Sequence, residues 1–184
     1  MVLLSLVLAA TPLCASERFW LSDEGKSITD QKSGLVWARC LLGQAYSAKK
    51  DRCTGRPLAL NWQSAVQAVK ALEYAGHHDW RLPSRQEFQA IVHCSSGQPV
   101  KLGMRRPYTP CQGEFRRPTL KPIFGPMPTW GYWANARHSG YEESAWYLYL
   151  HNGFVGHFNE YEQFHVWPVR SATQKESRYN PSKE

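Results

Sequence analysis

No C-x-x-C pair, no H-E-x-x-H motif and no apolar run long enough to span a bilayer as a mature helix occur in this 184-residue chain. The first two absences argue against a zinc finger and a zinc protease, and the third against a membrane-spanning helix. Acid is also scarce. Fifteen Asp and Glu face 22 Lys and Arg, a formal net charge of +7. A basic chain attracts anionic surfaces. No nucleic-acid-binding motif accompanies the charge, so a nucleic-acid partner is not expected and sulfated or phosphorylated polysaccharide is the better match.

Charge is missing altogether from residues 1–16. Met1 to Ala10 is apolar, and Thr11-Pro12-Leu13-Cys14-Ala15-Ser16 ends it in small residues. This resembles a secretory signal peptide cleaved near Ser16. Leu13 is a poor residue to precede a lipidated cysteine. Cleavage leaves Cys40, Cys53, Cys94 and Cys111, and an even count in an exported chain favours disulfides over a metal or a reactive thiol. Three connectivities are open. The turn-rich loops between them favour Cys40–Cys53 and Cys94–Cys111, each worth about 3 kcal/mol through the unfolded chain.

The length suits one domain over residues 17–171, followed by a polar, mobile tail over 172–184. Phe19-Trp20-Leu21, Ser27-Ile28-Thr29 and Leu35-Val36-Trp37-Ala38 read as strands around a turn at Asp30–Gly34, with a loop from Cys40 to Cys53. Asn61 caps a helix running from Trp62 to about Tyr74, with Trp62, Ala65, Val66, Val69 and Leu72 on one face. Gly76 is a natural stop for that helix. Pro83 keeps Trp80-Arg81-Leu82 extended, and Ser84 and Glu87 have capping-box spacing for a second helix reaching about His93. Arg81 reads as a structural arginine bonding loop carbonyls.

From Cys94 to Trp130 no periodicity is visible. Lys101, Arg105, Arg106, Arg116, Arg117 and Lys121 there face a single acid, Glu114. A long irregular loop in a compact domain is often functional. Strands resume at Gly131–Ala134 and Ala145–His151. Asn152-Gly153 is a two-residue hairpin signal leading into Phe154–Asn159, and Phe164–Arg170 reads as the last strand, with Pro168 at an edge or bulge. That turn pairs His151 with Phe154, Tyr149 with Gly156 and Tyr147 with Phe158. Tyr147, Tyr149 and Phe158 then form an aromatic stripe on one face, while Trp146, Leu148, Leu150 and Val155 face the core. Exposed, the stripe offers flat contact area for sugar rings or a protein.

Taken in order, Thr29-Asp30 with Ser33-Gly34-Leu35-Val36-Trp37, Asn61-Trp62, His78-Asp79-Trp80-Arg81-Leu82-Pro83-Ser84 before Glu87, Tyr132-Trp133-Ala134, Ala145-Trp146 leading to Asn152-Gly153, and Val166-Trp167-Pro168-Val169-Arg170 resemble the Lcl C-terminal domain. This bacterial family of unknown function is named after the C-terminal domain of a collagen-like adhesin. The resemblance covers roughly residues 19–171. It implies an α+β, C-type-lectin-like fold of two helices packed on a curled antiparallel sheet, with disulfides. It also implies a periplasmic, secreted or surface-associated protein of a Gram-negative bacterium. The namesake binds sulfated polysaccharide. Ala134-Asn135 stands where the family usually has Ser-Ser. The Glu-Pro-Asn and Gln-Pro-Asp tripeptides of calcium-dependent lectins are absent, which argues against calcium-mediated sugar binding.

The expectation is a non-catalytic module without cofactor. Its partner would be an anionic polysaccharide or an envelope protein, and its oligomeric state is open. Arg105, Arg106, Arg116 and Arg117 would meet sulfate or phosphate, and Tyr147, Tyr149 and Phe158 would stack on rings. The alternative is a structural subunit docking in an envelope complex. A formylglycine-generating type of enzyme, which shares the broad fold and an Arg-Leu-Pro motif, would need a reactive, copper-binding cysteine pair. A zinc hydrolase built from His77, His78, His151, His157 and His165 is disfavoured, because adjacent His77 and His78 point apart.

Overall fold

In the computed structural model the described residues are 18–96, 111 and 113–178. The signal-peptide-like run, Lys101, Arg105, Arg106 and the last six residues of the tail lie outside them.

The chain starts as a meander. β1 (Phe19–Leu21), β2 (Ser27–Asp30) and β3 (Leu35–Ala38) pair antiparallel in sequence. Asp30, fully buried, organises the turn between β2 and β3. Its carboxylate accepts from the Lys32 N–H, the Ser33 hydroxyl and the Arg18 guanidinium. The Cys40–Cys53 loop is more regular than expected. It folds into a small hairpin of β4 (Ala45–Ser47) and β5 (Arg52–Thr54), closed at its base by the disulfide.

β6 (Ala59–Leu60) leads into α1 (Trp62–Lys70), where the Asn61 side chain accepts from the Ser64 N–H. α1 ends about one turn before the expected Tyr74. Gly76 does not cap it: Ala75 and Gly76 both take positive φ in a tight turn that bridges Tyr74 to His77. The turn is held because Trp80 Nε1 donates to the Tyr74 carbonyl and the Tyr74 hydroxyl donates to the Lys26 carbonyl. Trp80 and Leu82 are then core residues. Between them Arg81 exchanges backbone hydrogen bonds with Val169, and its side chain pairs with Glu87. α2 (Arg85–Ile91) starts with the expected capping box of Ser84 and Glu87.

The remaining strands are β7 (Gly131–Arg137), β8 (Ser144–Tyr149), β9 (Phe154–Asn159), β10 (Phe164–His165) and β11 (Val169–Ser171). They do not complete one curled antiparallel sheet. β11 joins the meander in a four-stranded sheet ordered β1-β2-β3-β11, and a five-stranded sheet runs β6-β10-β7-β8-β9. One pairing, His165 with Tyr132, is parallel. The expected single strand Phe164–Arg170 is therefore two, and Val166-Trp167-Pro168 crosses between the sheets. Trp167 packs there against Trp37, with ring centroids 4.7 Å apart, and Phe88 and Phe124 close the same cluster.

Residues 172–178, expected as part of a mobile tail, include a third short helix, α3 (Gln174–Arg178), whose Glu176 is paired with buried Arg170. The fold is mixed α and β with two disulfides, Cys40–Cys53 and Cys94–Cys111. Disulfides belong to chains that fold in oxidising compartments. Among the described residues no helix is long and apolar enough to cross a membrane.

Candidate functional site

The β8–β9 hairpin carries the aromatic residues, in a register that differs from expectation. Tyr149 pairs with Phe154, Tyr147 with Gly156 and Ala145 with Phe158, so four residues rather than two form the connection. Leu150 is drawn out of the ladder. Its N–H donates to the Trp130 carbonyl, and its own carbonyl accepts from both the N–H and the hydroxyl of Thr119. Gly153, at φ +73°, closes the turn by donating to the Tyr149 carbonyl, and Asn152 Oδ1 accepts from the Phe154 N–H. Sliding by two residues leaves every side chain on its expected face. Leu148, Leu150 and Val155 are buried, Trp146 is partly so, and Tyr147, Tyr149 and Phe158 share the opposite face.

That face is a shallow groove of about 250 Å³, lined by Trp130, Tyr147, Tyr149, Phe158, Glu162 and Phe164. Trp130 is 52% exposed and Phe158 45%, while the two tyrosines are half-buried. Trp130 meets Tyr149 edge to face at 6.1 Å, and Tyr147 meets Phe158 the same way at 5.9 Å. Phe164 stacks under Tyr147 at 4.9 Å. Gly131 makes this packing possible, since a Cβ there would lie 2.6 Å from the Phe164 ring. Burial, with Tyr149 close by, pushes the Tyr147 phenol above its ordinary pKa, so it stays a neutral donor. Sequence reasoning missed Trp130, Glu162 and Phe164. The signal for Trp130 was its place directly before the strand that pairs with Tyr149.

The cationic residues sit on the segment that follows Cys111. Arg116 and Arg117 are exposed; the Arg116 N–H donates to Ser95 Oγ at 2.6 Å, and the Arg117 guanidinium lies over the Phe115 ring. Two residues on, Thr119 fastens the segment to Leu150 and, through its own carbonyl, to the His93 N–H. The described part of the basic loop thus adjoins the β8–β9 turn, one residue from Tyr149. Arg105 and Arg106 lie outside the described residues.

The histidines do not converge. His77 contacts Arg170, His78 faces Glu73, His151 stacks on Tyr149, His165 faces the Leu58 carbonyl, and His157 lies against His138 and Tyr141. Among the described residues no group of three or more His, Cys, Asp or Glu is arranged to hold a metal ion.

A family model described as the Lcl C-terminal domain matches residues 26–170. No curated protein matches the sequence.

Proposed function

Since the chain belongs to the Lcl C-terminal domain family, we propose that it is an exported, non-catalytic binding module for an anionic polysaccharide of the cell envelope. It would act in the periplasm or at the surface of a Gram-negative bacterium. Trp130, Tyr149 and Phe158 stack on sugar rings, and Arg116 and Arg117, with Arg105 and Arg106, meet sulfate or phosphate oxygens. The observation that carries this reading is the junction at Leu150, where Thr119, two residues after the exposed pair Arg116 and Arg117, bonds to the residue next to Tyr149 of the aromatic groove. Ring faces alone would suit neutral sugars, and loose surface arginines alone would suit any polyanion. Together they suit a charged glycan. The two disulfides occupy all four cysteines among the described residues, which argues against the formylglycine-generating alternative. Helices α1 and α2, with the short α3 added at the C-terminal side, beside mostly antiparallel sheets that hold β1 and β11 together support a C-type-lectin-like reading of the fold.

The test is binding of the oxidised protein to immobilised neutral and sulfated polysaccharides at two salt concentrations. Salt-sensitive capture by the sulfated polymers is expected. No capture at low salt would sink the reading and turn attention to an envelope protein as partner.

A further inference from the structure

We propose that the aromatic groove is a subsite for a quaternary ammonium group, a choline-type substituent carried by the polysaccharide. The inference rests on the binding-module reading and names the chemistry of one substituent.

The groove differs electrically from the rest of the molecule. In a chain of net charge +7, its lining contains no Lys, Arg or His, and its single charged residue is Glu162. Glu162 is exposed at the rim and has no side-chain partner among the described residues. The turn that presents it is fixed, because its N–H donates to the Asn159 carbonyl. A lone carboxylate beside ring faces in a basic protein favours a cation there.

Ring arrangement narrows the kind of cation. Trp130 and Tyr149 meet at 75°, Tyr147 and Phe158 at 66°, and Tyr147 and Phe164 lie nearly parallel at 27°. Near-perpendicular neighbours make corners, in which a small head can touch more than one ring. A primary ammonium is compact, strongly hydrated and needs several acceptors. Apart from Glu162 and the tyrosine hydroxyls, the lining side chains offer none. A methylated ammonium spreads its charge over C–H groups and is attracted to ring faces, to Trp most of all. At about 250 Å³ the groove is also below the range of roughly 300–1,000 Å³ that whole small ligands occupy, so it suits a substituent. Arg116 and Arg117, on the segment that Thr119 fastens at Leu150, would meet an anionic linkage such as a phosphodiester.

Calorimetric and NMR titration of the full oxidised protein with choline, with its neutral isostere 3,3-dimethylbutanol and with ethanolamine tests this. Choline should saturate, shift the Trp130, Tyr149 and Phe158 signals, and bind about tenfold more tightly than either analogue. Trp130→Ala should abolish the effect, and Glu162→Gln should weaken it about threefold to tenfold. Both residues are exposed, so melting temperatures should not move. Equal binding of the neutral isostere, or no saturation by about 50 mM choline, would overturn the proposal. If choline fails while sulfated polysaccharide still binds, the subsite is wrong and the module reading stands. If choline binds and the neutral and sulfated polysaccharides do not, the anionic-polysaccharide reading falls, and the subsite stands only if a phosphocholine-bearing polysaccharide is captured. Binding to phosphatidylcholine vesicles but not to a phosphocholine-bearing polysaccharide would overturn the assignment to a polymer.

Discussion

Arg170, with its side chain 1% exposed, is neutralised by Glu176, six residues further on. The guanidinium gives Nη1 to Glu176 Oε2 at 3.0 Å and Nη2 to Oε1, while Nη2 also contacts His77 and Nε has no partner among the described residues. Thr173 completes the clamp, donating its N–H and hydroxyl to Glu176 Oε2, both at 2.8 Å. The family match ends at Arg170, so the counter-charge comes from beyond the matched region.

Replacing Glu176 with Gln should therefore destabilise the protein although the residue is partly exposed. Breaking a buried pair costs about 3–5 kcal/mol; water reaching the Glu176 side trims this to roughly 2 kcal/mol. Burial alone would raise the Glu176 pKa, but hydrogen bonds from Arg170 and Thr173 outweigh it and hold the carboxyl at about 2, against an ordinary 4.5. A depressed carboxyl stabilises above its unfolded pKa, and that stability is lost as pH falls through the folded one. Urea unfolding should show the gap between wild type and E176Q full at pH 6 and closing between about pH 4.5 and 2. A gap independent of pH would mean the pair contributes little.

The capping box of α2 gives a second test. Ser84→Ala removes the hydroxyl that accepts from the Glu87 N–H and should cost about 1 kcal/mol. Glu87→Gln should cost more, about 2 kcal/mol, because Glu87 accepts from the Ser84 N–H at 2.6 Å and holds Arg81 in two bonds at 2.7 and 2.8 Å. Burial pushes the Glu87 carboxyl up, and the Arg81 and Ser84 bonds more than offset this and leave it below its ordinary range. Equal losses in chemical unfolding would show that Arg81 adds nothing.

Features whose partners lie close in sequence were legible. The Ser84–Glu87 box, the Asn61 cap and the Asp30–Gly34 turn each follow from a few adjacent residues. The hairpin register was not. Asn152-Gly153 does suit a two-residue turn, but Trp130 and Thr119 claim Leu150 from other parts of the chain and lengthen the connection. Alternation along Phe164–Arg170 could not say that its two ends join different sheets. The groove was half legible for the same reason. Tyr147, Tyr149 and Phe158 share a face by strand period, whereas Trp130 and Phe164 arrive through strand order. Arg170–Glu176 escaped because a separation of six marks neither helix nor strand neighbours.

The Cys40–Cys53 bridge closes 13 residues of chain around β4 and β5. Cys40→Ala with Cys53→Ala should lower stability by about 3 kcal/mol, mostly by releasing the unfolded chain. Since no residue from Cys40 to Thr54 lines the groove, polysaccharide binding by the folded fraction should be unchanged. Loss of binding at a temperature where circular dichroism still reports folded protein would place the hairpin in the site.

Ring and charge contributions separate by salt. Trp130→Ala deletes an exposed ring whose backbone carbonyl still accepts from Leu150, so folding should hold. Its loss in polysaccharide affinity, about fivefold to tenfold, should be the same at low and high salt, because stacking is not screened. Arg116→Ala with Arg117→Ala removes two exposed charges, and screening acts on these. Affinity should fall at low salt, converge with wild type near 1 M salt, and give a shallower dependence between. Parallel salt curves for the arginine variant would show that these residues do not face the ligand, and the cationic contacts would then have to come from elsewhere in the loop.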